Sequence, residues 1–254
     1  MEISEHIDAL RRDGALLADA AAVTDLDAPV PTCPDWRLAD LLRHTGRVHR
    51  WATAYVADGH RVPLDDAGQQ RAWGPDPDDA GLVEWFRSGH FGLVAALEKA
   101  PADLDCWSFL PAPSPLAFWA RRQAHETAVH RVDAEFAAGQ EPSATGPAFA
   151  EDGIAELLTR FLVRPKTPLR SERPRTLLVR TTDRPASWLV TVSQEPVVTQ
   201  ELPDGAPAAD CVVSGRAHEL YLLLWNRLPL ERVTAEGDRS LFELWRGSAR
   251  IRWS

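Results

Sequence analysis

Cysteine is scarce in this chain, and so is any long apolar run; each shortage removes a class of protein. Only Cys33, Cys106 and Cys211 occur among 254 residues. Their odd number and wide spacing exclude a disulfide framework and a paired-cysteine zinc site, and point to a reducing cytoplasm. No apolar stretch approaches the roughly 20 residues that a membrane-spanning helix needs. The opening segment MEISEHIDALRRDGALL is charged throughout, unlike a secretory signal. Positive charge is also in deficit. The 28 Lys and Arg face 37 Asp and Glu, for a net charge of −9, which argues against non-specific nucleic-acid binding.

What remains is a chain that is 44% hydrophobic, enough for one large core or two modest ones. The charge is uneven. Residues 151–254 hold 15 of the 28 basic and 14 of the 37 acidic residues, leaving 13 against 23 for residues 1–150. The basic stretch RFLVRPKTPLRSERPRTLLVR opens the second part. It reads either as a solvated linker and strand edge or as a basic flank for an anionic substrate.

Residues 1–140 carry helical periodicity. Ile3, Ile7, Leu10, Leu16 and Leu17 form one stripe, and Leu38, Leu41, Leu42 and Val48 form the apolar face of a second helix that follows the break PTCPDW. A third helix contains Leu82, Trp85, Phe86, Leu93, Val94 and Leu97. A fourth runs from about Leu116 to Ala138, after LPAPSP. Four helices with two long connections predict a four-helix bundle. GQEPSATGPAFAEDG marks a boundary by composition. Beyond it, after one helix, RTLLVRTTD, ASWLVTVSQ, PVVTQELP and ADCVVSGR read as strands, AHELYLLLWNRL as a helix, and SLFELWRGSARIRWS as a closing helix with a last strand. Residues 151–254 are therefore expected to form a smaller α+β domain with a mostly antiparallel sheet.

The segment RRQAHETAVHRVD, residues 121–133, carries the chemistry. It is not the His-Glu-x-x-His helix of zinc proteases, because His125 and His130 are five residues apart, roughly 140° around a helix. Glu126 and His130 are four apart and share a face. That pair is either an ion pair, with Arg121, Arg122, Arg131 and Asp133 as solvated neighbours, or part of a metal site completed from another helix. The second helix offers His44 and His49. His44 lies between Leu41 and Val48 and borders the apolar face, so it is the better inward candidate; His49 is about 140° away. One carboxylate and two imidazoles suit Zn²⁺ with an open position, though Ni²⁺ or Fe²⁺ could use the same set. His125 reads as a surface residue. Asp133, one turn beyond His130, is either a second acceptor that orients it or a surface partner of an arginine. Cys33 reads as a reactive thiol or a small packed turn residue. Trp36, Trp51, Trp85 and Trp119 read as pocket wall or as core.

VPTCPDWRLADLLRHTGRVHRWA followed by RRQAHETAVHRVDAE resembles the mycothiol-dependent maleylpyruvate isomerase family, within the DinB-like metal-binding four-helix bundles. ADCVVSGRAHELYLLLWNRLP resembles that family's C-terminal domain. The resemblance implies a divalent metal, usually zinc, on His44, Glu126 and His130, and a low-molecular-weight thiol such as mycothiol as cosubstrate. It also implies an arginine of the C-terminal domain that serves the site, for which Arg227 is the nearest match; the alternative for Arg227 is compensation of a helix C-terminus. The family commonly has Ser or Thr after the motif tryptophan. Arg37 stands there, which makes Asp35 the expected helix cap. The implied partners are the thiol and a small electrophile, with no nucleic acid and no membrane. The expected function is thiol activation for isomerisation or transfer. The alternatives are a non-catalytic metal- or ligand-binding module and hydrolysis by a zinc-bound water.

Overall fold

The computed structural model describes residues 1–75, 77–202 and 207–249. The chain divides into two compact units, Met1–Ser143 and Ala144–Ser254. Among the described residues no helix is long and apolar enough to cross a membrane.

Among the described residues the first unit contains five α-helices: α1 (Ile3–Ala22), α2 (Leu38–Asp58), α3 (Asp66–Trp73), α4 (Leu82–Lys99) and α5 (Pro115–Ala137). The four long ones pack in a closed set, α1 on α4 and α5, α2 on α4 and α5. Leu17, Leu38, Leu41, Leu42, Leu82 and Phe86 are fully buried in its core, the residues that the 3.6-residue period places on inward faces. The short α3 was not expected. Its sequence has no apolar stripe, and it is set by local chemistry: Asp65 caps it by accepting from the Gly68 amide at 2.8 Å, and Gly74 follows it with φ of 70°.

α5 begins where the sequence predicts. Ser114 Oγ accepts from the Ala117 amide at 3.1 Å, with Pro115 in the first turn. Its surroundings are not those predicted. Of its 23 residues 18 are buried, so this polar helix has no solvated face over most of its length. Arg122, Arg131 and Asp133 are fully buried rather than solvated, and His125 is buried rather than superficial. Asp35 does not cap α2 either. Instead the Arg37 amide donates to Asp40 at 2.9 Å, which satisfies the backbone from inside the first turn.

Close helix contact depends on one glycine of α2. A Cβ on Gly46 would come within 2.1 Å of the Trp85 ring of α4, and that ring also carries the Arg50 guanidinium 3.8 Å from its centroid. Gly46→Ala is expected to destabilise the protein by about 1–3 kcal/mol through overpacking, read as a lower midpoint in thermal denaturation; an unchanged midpoint would show that α2 and α4 yield freely here.

The second unit opens with α6 (Pro147–Glu156), which continues into one π-helical turn over Leu157–Phe161. Its strands are β1 (Arg175–Thr181), β2 (Ser187–Val192), β3 (Val198–Leu202), β4 (Cys211–Gly215) and β5 (Thr234–Gly237), in the order β3-β2-β1-β4-β5. All pairings are antiparallel except β1 with β4, which is parallel, with Leu177 opposite Cys211. The mixed, mostly antiparallel α+β character agrees with the sequence reading. α7 (Ala217–Leu224) packs on β1, β4 and α6. Leu177, Val179, Val190, Cys211 and Val213 are buried in this unit, as are Leu220, Leu223 and Leu224. α8 (Ser240–Ser248) follows β5. The sequence offered no signal for β5, whose TAEG has no apolar alternation; pairing to β4 imposes it. The last strand expected in the closing segment lies at 250–254, outside the described residues.

Candidate metal centre

The site starts from the connection between α1 and α2. Pro29 and Arg37 form a bridge, and the Val30 amide donates to the Trp36 carbonyl at 3.0 Å. Inside that loop the Cys33 amide donates to Val30 and the Trp36 amide to Cys33, at 3.0 and 2.8 Å. The closed loop sets Trp36 against two imidazoles. Its ring centroid is 4.9 Å from His44 of α2 and 5.9 Å from His130 of α5, nearly parallel to the latter at 26°.

His44, Glu126 and His130 converge. Each offers one ligand atom within 4.8 Å of the others. His44 Nε2 and His130 Nε2 each lie 3.3 Å from Glu126 Oε1. A tetrahedral ion with bonds near 2.0–2.1 Å separates its ligand atoms by roughly 3.3 Å, so two edges of the donor set have the span that zinc requires. The chemistry of the set, two imidazoles and a carboxylate, fits as well, and it leaves a fourth position open.

The partners behind the ligands complete the fit. His130 Nδ1 is 2.8 Å from Asp133 Oδ2. An ionised carboxylate only accepts, so Nδ1 carries the proton and Nε2 faces the other two ligands. Asp133 is held in turn by the Thr32 hydroxyl, which donates to Oδ1, and by the Cys33 thiol, 3.8 Å from Oδ2. On the other side Arg122 Nη2 donates to Glu126 Oε2 at 3.0 Å.

The electrostatics follow from this packing. Burial alone raises the pKa of Glu126, but the hydrogen bonds to His130 and His44, with the charges of His130 and Arg122, outweigh it and hold the carboxyl well below the usual range. Burial lowers His130, yet Asp133 and Glu126 more than reverse this and raise it to about 9. In the absence of a cation a proton on His130, together with the Arg122 guanidinium, thus balances the two carboxylates; a divalent ion would replace that proton. Asp133→Asn is expected to weaken zinc binding by about 10- to 100-fold, the ordinary effect of losing an outer partner of a ligand. Competition with a chromophoric chelator reads this, and an unaltered affinity would show that Asp133 does not orient His130.

Other sequence candidates lie elsewhere. His49 is fully buried, more so than His44, but its Nε2 is paired with Thr127 Oγ1 at 2.8 Å and its ring lies 5.4 Å from those of Phe86 and His90. Burial, then the neighbouring His90, keeps it well below its ordinary pKa. Trp119 stacks on Tyr55 within an aromatic cluster that includes Trp51 and Trp107, which is core rather than site wall. Arg227 belongs to the second unit. It follows Asn226, which has φ of 62°, and its guanidinium donates to the Trp225 carbonyl at 2.7 Å just past the end of α7. Thr32 and Arg122 escaped the sequence reading as members of the site. For Arg122 the signal was present, since it precedes Glu126 by one helical turn.

Comparison with known proteins agrees with this architecture. The model of the mycothiol maleylpyruvate isomerase N-terminal domain matches residues 7–135, and that of the family's C-terminal domain matches residues 148–244. Two crystal structures of mycothiol-dependent maleylpyruvate isomerase, one of them a histidine-to-alanine mutant, share the fold. They are 14% and 13% identical to this chain, each with a TM-score of 0.61, covering 92% of this chain and 93% of the other. No curated protein matches in a sequence search. The two matched domains account for most of the chain, and the chain belongs to the mycothiol maleylpyruvate isomerase family.

Proposed function

We propose that this chain is a zinc-dependent cytoplasmic enzyme that activates a low-molecular-weight thiol such as mycothiol, for isomerisation of, or transfer to, a small electrophile. The observation that carries the reading is the convergence of His44 Nε2, Glu126 Oε1 and His130 Nε2 at the spacing of zinc ligands. Zinc bound there supplies a Lewis acid that keeps a thiol, ordinarily protonated at neutral pH, as its thiolate. The three side chains hold the metal, and Asp133 fixes the ring of His130. Trp36 packs against the two imidazoles and restricts their rings.

The thiolate adds to an electron-poor double bond of the substrate. Rotation about the resulting single bond, then loss of the same thiolate, returns an isomer; stopping after addition and protonation leaves a conjugate. Arg227 is proposed to bind the anionic group of the substrate, supported by its charge and by the family resemblance. Arg227→Ala is then expected to raise KM for an anionic electrophile by about tenfold, the loss of one charge-assisted contact, with zinc content unchanged. An unchanged KM would leave Arg227 as a helix-end residue.

The test of the function is zinc analysis of the purified protein, followed by incubation with mycothiol and maleylpyruvate or bromobimane. Thiol-dependent turnover that disappears with chelation and returns with zinc is the expected result. Zinc at one per chain without turnover would identify a binding module instead, and no stoichiometric zinc in purified and reconstituted protein would overturn the reading.

A further inference from the structure

We infer that Arg122 is a positioning residue that fixes how Glu126 meets the metal: it occupies one carboxylate oxygen so that only the other is offered. The inference rests on the metal reading above and adds to it the denticity of the carboxylate and, through it, the number of positions left open.

The two oxygens of Glu126 have separate partners. Oε1 faces His44 Nε2 and His130 Nε2, both at 3.3 Å. Oε2 accepts from Arg122 Nη2 at 3.0 Å. Arg122 sits one turn before Glu126 on α5, with its side chain fully buried and that of Glu126 nearly so. The guanidinium therefore has no route to solvent that does not cost its pairing, and a buried charge stripped of its partner is strongly unfavourable. An oxygen that accepts from Arg122 has one lone pair committed and a guanidinium charge beside it, so it is the poorer donor to a cation, and Oε1 is the oxygen that would meet the metal. Coordination through both oxygens would bring the ion toward the Arg122 cation.

The consequence lies in the geometry of the metal. Two imidazoles and one oxygen make three protein ligands, and a four-coordinate ion keeps one position for an exogenous ligand. A bidentate glutamate would fill that position or expand the shell, as carboxylates do around larger, more flexible cations. Arg122 thus selects for a small tetrahedral ion over one that prefers six or more oxygens. Lysine at this position supplies charge without the planar fork that matches a carboxylate edge, so it is expected to restore the arrangement only in part.

Cobalt(II) is the probe, because its visible absorption is strong when four-coordinate and weak when the shell expands. Wild-type protein, Arg122→Gln and Arg122→Lys are loaded with cobalt, and zinc affinity is measured in parallel by chelator competition. Wild type is expected to show the intense tetrahedral band. Arg122→Gln should lose much of that intensity and bind zinc about 10- to 100-fold more weakly, and Arg122→Lys should fall between. Thermal unfolding of the metal-free forms shows whether each variant is folded. Should Arg122→Gln not fold, the same comparison is made with Arg122→Lys, for which a wild-type spectrum and affinity overturn the inference. Folded Arg122→Gln with the band and affinity of wild type also overturns it, while leaving the metal site standing. Wild-type protein that takes up no cobalt or zinc overturns both.

Discussion

Replacing His44 by alanine is expected to weaken zinc binding by roughly two orders of magnitude and to reduce thiol-dependent turnover to background. Closed four-ligand zinc sites bind with roughly 10–16 kcal/mol, so one ligand carries about 3 kcal/mol, or roughly a hundredfold in affinity. His44 is the only one of the three proposed ligands contributed by α2, and its side chain is the most exposed of them, so removing it disturbs little packing. His49, five residues further along the same helix, is the internal control. It is wholly buried and paired with Thr127, so His49→Ala should lower thermal stability and leave zinc affinity near that of wild type. The opposite pattern, zinc lost with His49 and retained without His44, would reject the ligand assignment.

The second large effect concerns stability. Arg131 is fully buried on α5 and bridges two buried carboxylates, with Nε 3.2 Å from Asp13 Oδ1 and Nη1 2.7 Å from Glu135 Oε2. Nη1 also donates to the Ser143 carbonyl at 2.7 Å, and Glu135 accepts from the Ser143 amide at 3.0 Å. The guanidinium thus ties α1, α5 and the chain beyond α5 together. Removing it leaves Asp13 and Glu135 buried without that cation. Breaking a buried pair from one side costs about 3–5 kcal/mol, a large part of the total stability of an ordinary domain. Arg131→Met is expected to lose that amount in urea unfolding, with zinc affinity of the folded fraction unchanged. Adding Glu135→Gln should recover part of the loss, because it removes one of the stranded charges. A loss below about 1 kcal/mol, the range of exposed pairs, would mean that water reaches this network.

The convergence of His44, Glu126 and His130 was legible because its cues are local. Glu126 and His130 are separated by one turn, and His44 borders an apolar stripe that the sequence displays. Asp133 was visible for the same reason, one turn past His130. The burial of α5 was not legible. Its polar residues recur on every side, which in a sequence looks like exposure, and what buries them is pairing with distant groups: Asp13 with Arg131, Thr32 with Asp133, His49 with Thr127. The same limit hid β5, whose four residues become a strand only against β4. Periodicity reports which face of a helix is apolar; it carries no information on where a buried charge finds its partner.

In the proposed site one divalent ion is held by two imidazoles and one glutamate oxygen. X-ray absorption at the zinc edge of the reconstituted protein, before any thiol is added, tests it most directly. The expected first shell contains only nitrogen and oxygen at about 2.0–2.1 Å, with the outer scattering of two imidazole rings. A sulfur scatterer near 2.3 Å, which would bring in a cysteine, or the outer scattering of fewer than two rings, would contradict it.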